Sequence, residues 1–293
     1  MGEPGRAGNN NLDFCWERVL KSNRQFRVSH LFAPDEFAGQ ILALHALFAS
    51  IDQLNSGAGD EFVARQKLEW WRSELRPVNI GKSNHPVLRF LVETGAASSL
   101  PVTDLDAFLD TAEVRLAARA PSDHEELEQL CHLIYLPRIQ LECALSNQDH
   151  QFVGGLREMV QTGGLLQLMR ESEARKEGAF WWIPLSTMAR HGVSRAGLEE
   201  DCDSEPARSV FEDVLGNDIQ RDSSRTSRGP DSRGPSPGLV HLQVMALLQA
   251  RLLGQLRKKR PSSYQLELNK WRVSDLLAAW NAARRFMLQS SAI

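Results

Sequence analysis

The chain has 293 residues, 42% of them hydrophobic and 24% charged, with a formal net charge of −3. That balance excludes the strongly basic face by which nucleic-acid binders neutralise phosphate, so no nucleic-acid partner is expected. Cys15, Cys131, Cys143 and Cys202 lie far apart, without CxxC or Cys/His metal spacing, which reads as reduced, buried thiols and not as a zinc motif or a disulfide framework.

Residues 1 to 11 form a Gly- and Asn-rich tail with no apolar h-region, and nowhere do about eighteen apolar residues run unbroken. A cytoplasmic protein is expected, with any membrane contact made peripherally at the inner surface. After Pro34 the residues Ile41, Leu44, Phe48 and Ile51 recur at helical spacing and predict a helix. The break Asn55-Ser56-Gly57-Ala58-Gly59 separates it from a second helix on which Leu68, Trp71 and Leu75 share a face, ending before Pro77. Further helices are predicted over 86–94, 104–119, 125–145, 153–176, 194–200 and 240–257, and a last one over 274–289. Thr103-Asp104 and Ser274-Asp275 are the predicted caps of two of them. No alternating strand pattern is evident, so the fold class is all-α, in a single domain spanning 1–293. Residues 216–238 hold four arginines among Ser, Asp, Gly and Pro, with almost nothing to bury, and predict a disordered insertion. The run Arg257-Lys258-Lys259-Arg260 reads as a solvated helix end, with contact to anionic lipid as the alternative.

Three blocks carry a resemblance. Leu31-Phe32-Ala33-Pro34 leads into Ile41-Leu42-Ala43-Leu44-His45-Ala46-Leu47-Phe48; Lys67-Leu68-Glu69-Trp70-Trp71-Arg72-Ser73-Glu74-Leu75 follows; and Arg170, Ile183-Pro184 and Met188-Ala189-Arg190-His191-Gly192-Val193 keep a fixed spacing. His85-Pro86-Val87-Leu88 is a weaker fourth match. Together they resemble the squalene/phytoene synthases, the head-to-head prenyl synthases. The resemblance implies an isoprenoid-synthase helical bundle around a central cavity, in which two facing helices present paired aspartates. Carboxylates one turn apart lie about 6 Å from each other and suit magnesium, which holds a diphosphate and stabilises its departure.

Here the sequence departs from the pattern. The first motif falls on Asp52, Gln53 and Ser56, and the second on Glu171 and Arg175, so one acid survives in each. A guanidinium one turn from Glu171 would pair with it and repel magnesium. Ala49 replaces a family arginine, and His45 a family tyrosine. Two readings follow from the resemblance. In one, the chain has lost prenyl-transferase catalysis and is a binding or assembly factor for an isoprenoid, a lipid or a partner protein, like the degenerate branch that contains respiratory complex I assembly factors; no cofactor is then expected. In the other it remains a magnesium-dependent transferase: Asp52 and Glu171 hold the metal and are the catalytic candidates, while Arg72, Arg170, Arg175, Gln167, Trp71 and Trp182 contact substrate. Trp70-Trp71 and Trp181-Trp182 also read as packing, Lys67 as a solvated face, and His45 and His191 as structural histidines, since no acidic partner is placed beside either in sequence. Gly163-Gly164 read as a close helix approach.

Overall fold

The computed structural model describes residues 10–55, 61–117, 119–148, 153, 155–174, 180–220, 237–270 and 272–290. Among them all regular structure is helical. Helices of eight or more residues are α1 (Asn10–Ser22), α2 (Asp35–Asp52), α3 (Glu61–Glu74), α4 (Pro86–Glu93), α5 (Val102–Leu116), α6 (His124–Leu145), α7 (Leu156–Ala174), α8 (Glu205–Gln220), α9 (Val240–Leu256) and α10 (Val273–Ser290).

Local chemistry sets several boundaries. Pro34 is extended and hands the chain to α2, where Asp35 and Glu36 complement the positive helix N-terminus. Asp123 caps α6 by accepting from the Glu126 amide at 3.0 Å, and Ser194 caps the short helix Arg195–Glu200 through the Gly197 amide at 3.1 Å. The predicted cap at Thr103-Asp104 is corrected: Pro101 precedes the helix, which starts at Val102 and ends at Leu116. Similarly, α10 starts at Val273, so Ser274-Asp275 lie within its first turn, where the Asp275 carboxylate accepts from the Arg272 amide at 3.2 Å. Two helices were not anticipated. α1 begins inside the expected tail. α8 packs the stripe Ala207, Val210, Phe211, Val214 and Leu215, and continues through 220 into the segment expected to be disordered, the rest of which (221–236) lies outside the described residues.

α2 occupies the centre. Its 35–55 stretch is long and apolar enough to cross a membrane by composition, yet Leu42, Ala43, Leu44, Ala46, Leu47 and Ile51 are buried against neighbouring helices, the pattern of a core helix. One apolar cluster joins α1, α2, α4 and α5; a second joins α6, α7, α8 and the C-terminal half of α9, and α6 contributes to both. α6 and α7 approach closely because Gly164 has no side chain: a Cβ there would lie 2.7 Å from the Cys131 backbone. Pro137 removes one amide from the α6 ladder, directly before Arg138. None of the four cysteines forms a disulfide, and burial pushes the Cys15 thiol up to about 12.

Candidate functional site

Polar groups collect where α2, α5, α6 and α7 meet. Asp52 ends α2 and Glu171 lies near the end of α7, both buried, and between them stands Arg115 of α5, fully buried. One guanidinium nitrogen of Arg115 donates to Asp52 at 3.0 Å and also to Glu171. Arg138 of α6 clamps Asp52 with two nitrogens, one at 3.1 Å, while its guanidinium sits over the rings of Phe48 and Phe108 at 5.1 and 5.2 Å. Gln167, one turn before Glu171, donates to it at 2.9 Å. The cluster thus balances two carboxylates against two guanidiniums. Burial alone would raise the Asp52 pKa, but Arg138 and Arg115 outweigh it and hold the carboxyl below its ordinary range.

A cavity of about 370 Å³ opens on this cluster, walled by Asp52, Glu171, Gln167 and Arg170 on one side and by Arg18 and Lys21 of α1 on the other. Of the described residues that line it, Ala49 alone is apolar. A much smaller compartment of about 30 Å³ shares the Asp52, Gln167 and Arg170 walls and reaches His45, Tyr135, Arg138 and Glu142.

Of the residues singled out from sequence, the fold brings Asp52, Glu171, Gln167 and Arg170 to one cavity. Arg170 also reaches Gln25 at 3.5 Å. Arg72 and Trp71 lie elsewhere. Arg72 is held by Asp110 at 2.7 Å, Glu113 at 3.3 Å and Glu69 at 3.4 Å on the outer α3–α5 contact, and Trp71 is buried edge-on against His85 and Trp70. Trp182 is buried in the second apolar cluster beside Phe211. Arg175 and Ser56 fall outside the described residues. Both histidines read as partnerless do meet carboxylates: His191 lies 3.2 Å from Asp213, and His45 lies 2.8 Å from Glu142.

Arg115 and Arg138 are the residues that sequence reasoning missed. A magnesium ion needs about six hard oxygens around it. Asp52 gives both of its oxygens to guanidiniums, and Glu171 gives one to Arg115 and Gln167, leaving only its Oε2 without a hydrogen bond among the described residues. One such oxygen beside a buried cation does not make a magnesium site, and the described residues do not fit the metal.

The family model described as squalene/phytoene synthase matches residues 19–273. Among solved structures, a dehydrosqualene synthase in complex with ligand superposes with a TM-score of 0.70 at 14% identity, covering 95% of this chain and 96% of that one. The squalene synthase HpnC from Alicyclobacillus acidocaldarius superposes with a TM-score of 0.55 at 16% identity, covering 96% and 94%. No protein of curated function matches the chain in sequence.

Proposed function

Because the chain belongs to the squalene/phytoene synthase family, we propose that it uses the family's helical fold as a binding or assembly factor and has given up the magnesium-dependent joining of prenyl diphosphates. One observation carries this reading: the Arg115 guanidinium stands between Asp52 and Glu171, where the chemistry would need a dication. A permanent cation there pairs with both acids, Arg138 balances the second charge, and together they repel a metal. Asp52 and Glu171, so paired, are then not available to hold the magnesium that would draw off the negative charge of a departing diphosphate. The occupant of the cavity in this reading is the anionic head of an isoprenoid or lipid, met by Arg18, Lys21 and Arg170. A partner protein of respiratory-complex assembly is the companion role, carried out in the cytoplasm. Peripheral membrane contact belongs to the same reading and is supported by exposed Lys258, Lys259 and Arg260 together with exposed Leu277 and Trp280 on α10.

The same three cations at the cavity support a second reading, an active head-to-head prenyl transferase in which arginine and lysine replace missing metal charge. Diphosphate release from farnesyl and geranylgeranyl diphosphate, with and without magnesium, separates the two. The expected outcome is no turnover by the folded protein. Magnesium-dependent turnover that vanishes in both Asp52→Ala and Glu171→Ala would establish the transferase instead.

A further inference from the structure

A second polar cluster lies deeper, and the magnesium motifs do not include it. His45 of α2, Glu142 of α6 and His241 of α9 each turn a donor atom inward, and the three atoms lie within 4.8 Å of one another. His45 Nε2 is 2.8 Å from Glu142 Oε1, and His241 Nε2 is 3.8 Å from Glu142 Oε2. The ring of Phe26 packs on both imidazoles, with centroids 4.4 Å from His45 and 5.4 Å from His241, and seals that side with carbon.

We propose that His45, Glu142 and His241 bind a divalent transition-metal ion of the zinc class, leaving one coordination position open toward the cavity. Four features support the site. First, a tetrahedral ion with bonds of about 2.0–2.2 Å holds its ligand atoms roughly 3.4 Å apart, and one donor atom from each of the three residues already lies within 4.8 Å of the other two. Second, His241 is 1% exposed, and its ring nitrogens make no well-aligned hydrogen bond, only a weak approach to the Ser29 backbone and a 3.8 Å approach to the Glu142 carboxylate. A buried imidazole so weakly partnered is under-satisfied, and a metal bond would supply the strong partner it lacks. Third, two imidazoles and one carboxylate select zinc, cobalt or nickel over magnesium, whose preference is for oxygen alone. Fourth, His45 and Glu142 line the compartment of about 30 Å³, which has room for a water in the open position. Two cations share this compartment, Arg138 one turn before Glu142 and Arg170, and the Arg138 guanidinium is already committed to Asp52. The site stands whether or not Asp52 and Glu171 retain catalysis.

The test uses the untagged full chain, stripped with a chelator and titrated with Co²⁺, then competed with Zn²⁺. Wild type is expected to bind one equivalent of Co²⁺ with visible ligand-field bands, displaced by Zn²⁺. His241→Ala and Glu142→Gln are each expected to weaken binding by at least about 100-fold, since each removes one of three protein ligands. Glu142→Gln keeps the shape of the side chain, so it decides the matter if His241→Ala loses its far-ultraviolet circular dichroism. Absence of saturable Co²⁺ binding in wild type, or undiminished binding in folded Glu142→Gln, overturns the site.

Discussion

α2 and α6 carry two acid–base pairs along one shared contact, and the pairs have opposite arrangements. At one position Asp52 of α2 faces Arg138 of α6, with Arg115 closing the other side; seven residues earlier on α2, His45 faces Glu142, which lies one turn beyond Arg138. Seven residues are two turns, roughly 10 Å along the axis. A guanidinium keeps its proton at any pH the protein meets, so the first pair is closed to metals. An imidazole exchanges its proton for a metal readily, so the second pair is open to them. The contrast lies within one helix pair: the Asp52 carboxylate is capped with permanent charge, while the groups at His45 and Glu142 are titratable.

Removing Arg115 breaks the first pair most directly. Arg115→Met leaves Asp52 with Arg138 alone and strands the buried Glu171 carboxylate beside Gln167. Breaking a buried pair from one side costs about 3–5 kcal/mol, because an uncompensated charge stays behind. Urea unfolding is expected to show a loss of that size, and adding Glu171→Gln is expected to restore at least about 1 kcal/mol by removing the stranded charge. A loss under about 1 kcal/mol in Arg115→Met would mean that the cluster is hydrated and the guanidinium dispensable.

The second pair is sharpened by pH, in the presence of chelator. Burial pulls the His241 pKa down to about 4, against the opposing pull of Glu142. The unfolded chain therefore binds the extra proton between the ordinary value near 6.5 and the folded value near 4. Stability from this group is complete above about pH 6.5 and drains away as pH falls toward 4, by up to about 3 kcal/mol. His241→Phe is expected to flatten the slope of unfolding free energy across that window. The slope that remains belongs to the other groups with depressed pKa: His30, which faces His241, and His85 nearer pH 6.5, and the carboxylates Glu142 and Asp52 nearer pH 4. An unchanged slope in His241→Phe would show that its imidazole is already solvated.

Most of the helices were legible because their apolar stripes are regular. α2 starts just after Pro34 as expected, α6 starts at His124, one residue before the expected 125, and Gly163-Gly164 do mark a close helix approach. α8 has an equally regular stripe, but the polar and Gly-rich chain after it masked its extent. Asp52, Glu171, Gln167 and Arg170 were found through motif spacing, and the fold does gather them. Arg115 and Arg138 left a fainter trace: each stands where an apolar stripe calls for a hydrophobic side chain, Arg115 after Phe108 and Ala112, Arg138 between Ile134 and Leu141. An arginine in a core register predicts a buried acid, though sequence does not say which one. The partners of His45 lie 97 and 196 positions away on α6 and α9, and only tertiary packing brings them together.

Arg72 supplies the smallest expected effect, and it separates resemblance from role. It sits in the motif most specific to the family, and its charge suits a phosphate. The folded chain turns it instead to the outer α3–α5 contact, where Asp110, Glu113 and Glu69 surround it; burial alone would lower its pKa, but these acids outweigh it and raise it. Ion pairs on such a rim are worth about 1 kcal/mol or less, and the alkyl stem adds some packing. Arg72→Ala is therefore expected to lower stability by about 1 kcal/mol in urea unfolding and to leave Co²⁺ binding at His45, Glu142 and His241 unchanged. A loss of diphosphate binding in this variant, measured by calorimetry with folding intact, would place a phosphate contact on the outer face and relocate the ligand from the cavity.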